Sequence, residues 1–290
     1  MKRPFIALTL TTLLLAPAGA LHAADSKNPK PNIVVLLADD MNRHFPGFNG
    51  GRAETPNLDR LAKEGTSLTQ FYVHSVCSPT RAAFLTGRYP FRNGMEERSH
   101  GNDTAALLPD ERTLAEALKQ AGYDTALIGK WHLGNWYQRQ LPLQRGFDHH
   151  YGLYGALISY YGKTRERYYD WHRNGETIRE DGYTTDLFAG EFERMIAARS
   201  SDRPFFYYVA LNAIHGPDEA PPELAEKYRK LLAHSADGGR PNRREFLAVK
   251  HAMLEAMDTA IGRMLAALKN KGVLDNTLIV FFNDNGGRLE

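Results

Sequence analysis

At 290 residues, with 36 Lys+Arg against 34 Asp+Glu and a formal net charge of +2, the chain lacks the basic excess that a nucleic-acid or anionic-membrane partner would draw on. Its 42% hydrophobic content excludes a disordered chain, and its single cysteine excludes a framework of internal disulfides. Past the first residues no stretch reaches the ~18 consecutive apolar residues of a membrane-spanning helix.

Lys2 and Arg3 precede an apolar run from Phe5 to Ala16 and small residues ending Leu21-His22-Ala23-Ala24. This is the order of a secretory signal peptide over residues 1–23, so the chain is expected to be exported, to a periplasm or outside the cell, and free of the membrane after cleavage. Residues 24–31, polar with two prolines, read as a tether, and 32–290 as one domain. Ile33-Val34-Val35-Leu36-Leu37 has the continuous apolar character of a strand buried on both faces, and it stops at Asp39-Asp40. Thr55-Pro56 opens a short helix that runs through Leu58 and Leu61 to Gly65, with a cap, a first-turn proline and a terminating glycine all in place. Leu68 to Val73 is apolar and β-compatible.

Cys77-Ser78-Pro79-Thr80-Arg81 starts a helix that closes at Gly87, with Ser78 as the cap and Pro79 at its first position. A helix N-terminus favours a thiolate, a phosphate or a sulfate placed against it, and Arg81 adds a fixed cationic fork one turn on. A buried, inert cysteine is the alternative. A lone cysteine in an oxidising compartment tilts the choice toward chemistry.

Thr113 and Glu116 predict a capping box for a helix ending at Gly122, and Thr125 to Ile128 a short strand that empties into Gly129-Lys130-Trp131-His132-Leu133-Gly134. His149 and His150 read as surface residues, and Tyr151 to Trp171 as a surface excursion. Tyr183 to Ala198 is helical, Phe205 to Leu211 a strand ending before His215, and Pro221 to Leu232 helical. Ser235 to Pro241 reads as a mobile loop. Phe246, Val249, Met253, Met257, Ile261, Met264 and Leu268 mark the core face of a long helix, and Thr277 to Phe282 a last strand, followed by Asn283-Asp284-Asn285-Gly286-Gly287.

Strands alternating with helices imply an α/β fold with a mostly parallel central sheet and helices on both faces, and in such sheets ligands bind beyond the carboxyl ends of the strands. Four runs end in polar chemistry: Asp39-Asp40, Lys130 with His132, His215, and Asp284-Asn285. Parallel strands would gather all four on one rim. Three carboxylates and an amide oxygen suit a hard cation, calcium or magnesium. Arg81, Lys130 and a helix end beside them suit a tetrahedral oxyanion.

On these residues the chain resembles the type I sulfatases. Cys77 to Arg81, with Leu85-Thr86-Gly87-Arg88, resembles the family's C-x-P-x-R element, with Thr80 where Ser is commoner. Gly129 to Gly134 resembles its G-K-W-H-L-G element, Ile33 to Asp40 and Asn283 to Gly287 its two metal strands, and His215 the histidine before a proline-containing turn. The run from Gly129 through Arg145-Gly146-Phe147-Asp148 is most similar to arylsulfatase B-like and related glycan-directed members. The resemblance implies an alkaline-phosphatase-like fold and hydrolysis of sulfate esters, aryl or carbohydrate, by S–O cleavage. It further implies that a formylglycine-generating maturase converts Cys77 to formylglycine, whose hydrate is the nucleophile. Asp39, Asp40, Asp284, Asn285 and an oxygen of modified Cys77 would hold calcium. Arg81 and Lys130 would stabilise the hydrate, His132 would assist elimination, and His215 would contact the sulfate or protonate the leaving alcohol. The family continues past this point with a further lysine and a C-terminal subdomain, both absent here, so the expectation is a truncated catalytic domain. A phosphodiesterase or phosphonate monoester hydrolase of the same superfamily, and a non-catalytic protein that keeps the ion and anion pocket, are the competing readings.

Overall fold

A computed structural model describes residues 30–97, 99, 106–233 and 241–287. The signal-peptide reading, most of the tether and the loop reading at 235–240 lie outside the described residues. Strands β1 (Asn32–Ala38), β2 (Asp124–Gly129), β3 (His149–Gly152), β4 (Thr164–Arg165), β5 (Tyr168–Tyr169), β6 (His172–Arg173), β7 (Glu176–Thr177), β8 (Phe205–Ala210) and β9 (Thr277–Asn283) alternate with helices. The helices are α1 (Pro56–Glu64), α2 (Cys77–Thr86), α3 (Pro90–Asn93), α4 (Leu114–Gln120), α5 (Thr184–Ala198), α6 (Pro222–Leu232) and α7 (Pro241–Asn270). One 7-stranded sheet runs in the order β7-β6-β3-β2-β8-β1-β9, and β4 and β5 pair separately. The five strands from β3 to β9 in that order are mutually parallel, while β6 and β7 add an antiparallel edge.

Side-chain alternation along the central strands builds a core on each face. Val34, Leu36, Phe205, Tyr207, Val209, Ala126 and Ile128 pack with Leu58 of α1, Phe188 and Phe192 of α5 and the α7 seam of Met253, Met257, Ile261 and Met264. Val35, Leu37, Phe206, Tyr208 and Leu127 pack on the opposite face with Ala82 and Leu85 of α2 and Ala115 of α4. Because the apolar side chains on both faces are covered, β1, β2 and β8 are clamped between two helical layers, and their pairing keeps their carboxyl ends in register.

The α4 capping box forms as the sequence predicts: Thr113 Oγ1 accepts from Glu116 N at 3.1 Å, and the Glu116 carboxylate accepts from Thr113 N at 2.8 Å. Thr113 Oγ1 also donates to the Arg145 carbonyl at 2.9 Å, tying the helix start to the loop before β3. Thr113→Ala is expected to cost about 1–2 kcal/mol, read as a fall in the urea midpoint at unchanged slope.

Five local expectations are corrected. Helix α2 begins at Cys77, so Pro79 sits at its third position, and Ser78, within the first turn, caps nothing; its hydroxyl donates to the His132 carbonyl at 2.9 Å and accepts from Ser99 N at 3.0 Å. Thr55 precedes α1 without a cap bond, its hydroxyl being taken by Gly47 N and Asp59. Leu68 to Val73 forms no strand and lies largely exposed. His149 and His150 are not surface residues but form β3, with His150 fully buried. The run from Tyr151 to Trp171 is not a surface excursion either, since Tyr151, Leu153, Ile158, Tyr160 and Trp171 all enter the core.

Candidate functional site

The carboxyl ends of β1, β2, β8 and β9 deliver the four polar clusters to one rim, and the first turn of α2 closes it. Asp39 lies one residue past β1, fixed by its N–H to the Ala213 carbonyl at 2.8 Å and by Ile214 N to its own carbonyl at 2.7 Å. Asp284 lies one residue past β9, with its N–H on the Ala38 carbonyl at 3.0 Å. A continuing strand would throw Asp39 and Asp40 to opposite faces. Instead Asp40 adopts φ 57°, a left-handed conformation that Asp tolerates, and alternation is broken. Ligand atoms of Asp39, Asp40 and His215 then fall within 4.8 Å of one another, as do those of Asp39, Cys77 and Asp284. Asp39 belongs to both groups and joins them.

Four fully buried charged side chains form the base of the site. Lys130 Nζ donates to Asp39 Oδ2 at 2.6 Å. Arg81 presents Nε and Nη2 to Asp284 Oδ2 at 3.0 and 2.7 Å, stands 3.5 Å from Asp39 Oδ2, and donates from Nη1 to the Lys130 carbonyl at 3.0 Å. Burial works against each charge. At Asp39 it is outweighed by Lys130 and Arg81, which hold the carboxyl below its usual range. At Asp284 burial and the neighbouring Asp39 push the carboxyl up. Arg81 and Lys130 stay cationic because their carboxylate partners outweigh burial.

His132, also in a left-handed conformation at φ 57°, sits over Cys77. Its Nε2 faces the Ser99 carbonyl at 2.7 Å and must carry the proton, so Nδ1, 3.1 Å from Cys77 Sγ, is the acceptor. Burial, with Lys130 and Arg81 nearby, pushes the ring's pKa well down and keeps it neutral. Burial likewise pushes the Cys77 thiol up, so the unmodified side chain is a thiol and not the thiolate a helix N-terminus was expected to favour. His215 turns Nδ1 to the Gly216 carbonyl at 2.7 Å and Nε2 to Asp40 at 3.5 Å.

The donor set fits a hard cation on an observation of its own. Asp39 Oδ1 and Asn285 Oδ1 are buried and have no hydrogen-bond partner among the described residues. The Asn285 amide is held by its nitrogen, which donates to Asp40 Oδ1 and the Gly286 carbonyl, and its oxygen is left over. Two orphaned oxygens beside Asp40 and Asp284 are what a bound divalent ion would satisfy.

All nine expected side chains, Asp39, Asp40, Cys77, Arg81, Lys130, His132, His215, Asp284 and Asn285, therefore meet at one place. A cavity of about 540 Å³ opens from Asp40, His215 and Gly287, walled by Arg165 and Glu166 of the β4–β5 hairpin and by Phe246 and Lys250 of α7. Sequence reasoning missed Lys250 and Ser99. A lysine four residues after Phe246 and three before Met253, on the apolar face of a long helix, was the available signal for Lys250. Ser99 acts through its backbone carbonyl and carried none.

Residues 31–290 match the Sulfatase family model. The chain belongs to the sulfatase family. It is 36% identical over 302 residues to the N-acetylgalactosamine-6-sulfatase of Mus musculus, covering 96% of this chain and 54% of that protein. It is 30% identical over 337 residues to the arylsulfatase of Klebsiella aerogenes, covering 99% of this chain and 71% of that one. Among solved structures, Ps i-CgsB in complex with k-i-k-neocarrahexaose superposes with a TM-score of 0.79 at 32% identity, over 89% of this chain and 59% of that one. The chain spans about half the length of most of these sulfatase relatives. The expected alkaline-phosphatase-like α/β fold, with its mostly parallel sheet between helical layers, is the one the sulfatase-family chain adopts.

Proposed function

We propose that the chain hydrolyses sulfate esters, on carbohydrates or aryl alcohols, with Cys77 converted to formylglycine and calcium held by Asp39, Asp40, Asp284, Asn285 and an oxygen of the modified residue. The observation that carries this reading is the placing of Cys77 at the first turn of α2, its sulfur within 4.8 Å of the carboxylate oxygens of Asp39 and Asp284, with Arg81 and Lys130 buried beside it. When present, the ion supplies electrostatic stabilisation of negative charge and the hydrated aldehyde supplies a hydroxyl nucleophile. The chain's own residues do the rest. Arg81 and Lys130, locked by Asp284 and Asp39, hold fixed positive charge around residue 77 without reorganising. His132, neutral and with Nδ1 aimed at residue 77, takes a proton from that side chain. His215, at the cavity rim with Nδ1–H on the Gly216 carbonyl and Nε2 facing Asp40, would in its imidazolium form give the Nε2 proton to the bridging oxygen of the ester as the alcohol departs.

Asp39, Asp40 and Asp284 against Arg81 and Lys130 leave one net negative charge before His215 is counted, and a divalent cation beside them turns the site cationic, which suits an anionic ester. A phosphodiester or phosphonate monoester carries the same single charge as a sulfate ester and is the second reading. That N-acetylgalactosamine-6-sulfatase and a structure holding neocarrahexaose are among the relatives supports a carbohydrate sulfate. Export by the N-terminal segment and encounter with a formylglycine-generating maturase belong to the same proposal, with 32–290 as the catalytic domain. No helix among the described residues is long and apolar enough to cross a membrane.

The test is coexpression of the full chain with a maturase, purification in calcium, and comparison of 4-nitrophenol release from the sulfate, the phosphodiester and the phenylphosphonate. The expected outcome is a formylglycine mass on the peptide carrying residue 77 and fastest turnover of the sulfate. An unmodified thiol with no sulfate turnover, or a faster phosphodiester, would overturn the reading.

A further inference from the structure

The segment from Asn212 to Glu219 leaves β8 and carries His215, and it is buried enough that its carbonyls need partners from elsewhere in the fold. Tyr160 supplies one, its hydroxyl lying 2.7 Å from the Asn212 carbonyl and 2.8 Å from that of His215. The other comes from the middle of α7. Lys250 Nζ donates to the Ile214 carbonyl at 2.6 Å and lies 2.7 Å from Asp218 Oδ1. Its side chain is only 9% exposed, on a helix face otherwise given to Phe246, Val249, Met253 and Met257. A charge in that position needs a reason, because desolvating an ammonium is expensive and a methionine or leucine would pack there at no such cost. The two contacts straddle His215: one residue before it on the main chain, three after it on the side chain. A single ammonium thus fixes both arms of the turn on which the imidazole is mounted.

We propose that Lys250 is a positioning residue for His215, setting the imidazole against Asp40 at the rim of the cavity. It acts through the turn and touches neither the reacting atoms nor the ion site. This rests on the sulfatase reading for its kinetic consequence, since His215 is assigned there to the departing alcohol. A misplacement of about 1 Å in a group of that kind costs on the order of a hundredfold. The loss falls on poor leaving groups, which need the proton, and spares nitrophenolate, which does not.

Two measurements on the full chain test it. The first needs no turnover: carbethoxylation of His215 by diethyl pyrocarbonate, followed by peptide mass spectrometry, in wild type, Lys250→Met and Lys250→Arg. Lys250→Met is expected to speed modification of His215 by at least about threefold while His44, an exposed histidine outside the turn, reacts as before, and Lys250→Arg to restore most of the protection. An unchanged His215 rate in Lys250→Met overturns the proposal whether or not the chain proves to be a sulfatase. The second uses the matured protein. Lys250→Met is expected to lower kcat on an alkyl or sugar sulfate by about ten- to a hundredfold, with KM within about threefold and nitrophenyl sulfate slowed by no more than about threefold. Equal losses on both substrates would mark a merely structural lysine, and a rise confined to KM would mark a direct substrate contact; either result overturns the assignment. A wild-type chain without sulfatase turnover would sink the functional reading alone, and the His215 protection would still decide the role of Lys250.

Discussion

Cys77→Ala is expected to lower turnover of 4-nitrophenyl sulfate by on the order of 10⁴-fold or more, with the fold retained. Among the described residues the side chain's hydrogen-bond partner is His132 Nδ1, and truncation removes a single sulfur atom, so little packing is lost. The loss comes from chemistry. Burial holds the native thiol protonated, and a thiol in that state is a poor nucleophile, so on the proposed function the nucleophile is what residue 77 would become and not the cysteine as encoded. Cys77→Ser separates two explanations. Its hydroxyl occupies the same site and can donate to His132, but a maturase that oxidises cysteine leaves it untouched, so it too should fall by a comparable factor. Steady-state kinetics with residue-77 peptide masses on the same preparations checks both. Cys77→Ala retaining more than about 1% of wild-type kcat would show that the nucleophile lies elsewhere.

What the sequence made legible were the four strand ends, because a strand buried on both faces must be apolar throughout and its first charged residue marks where the sheet stops. Asp39, Lys130 and Asp284 could be placed on one rim for that reason alone. The helix at Cys77 was legible too, but not its register: Ser78 looked like a cap because nothing local shows that its hydroxyl is committed to the His132 carbonyl and Ser99 N. β3 was missed because His149-His150-Tyr151-Gly152 has no apolar pattern of its own. It is a strand because β2 offers a free edge on one side and β6 on the other. Leu68 to Val73 failed in the opposite sense. Its apolar residues finish no sheet, and Phe71 instead leans edge-on against Phe282, 5.7 Å away. Burial of the stretch after β3 was hidden by its tyrosines and charges, yet Tyr160 enters the core ring-first and spends its hydroxyl on the turn that carries His215.

Arg81→Met should be the most damaging single change to stability in the site, about 3–5 kcal/mol, which for a chain of this size is a fall in Tm of roughly 6–20 °C. Asp284 Oδ2 receives two of the guanidinium's N–H groups, and the Lys130 carbonyl a third, with every partner buried. Methionine fills similar volume but leaves the carboxylate facing Asp39 with Lys130 as the sole remaining cation of the quartet. Two comparisons isolate the cause. If the cost is an uncompensated buried charge, adding Asp284→Asn to Arg81→Met should recover part of the loss, so that the double variant is more stable than Arg81→Met alone. If the ion site is as proposed, excess calcium should also narrow the gap between Arg81→Met and wild type, because a dication beside Asp39 and Asp284 replaces part of the missing positive charge, and stabilisation by a ligand rises with its concentration over Kd. Thermal or urea unfolding with and without calcium measures both. Additive losses in the double variant, together with a deficit indifferent to calcium, would mean that Arg81 stabilises by packing alone, and the picture of a charge-balanced anion site around residue 77 would lose its physical basis.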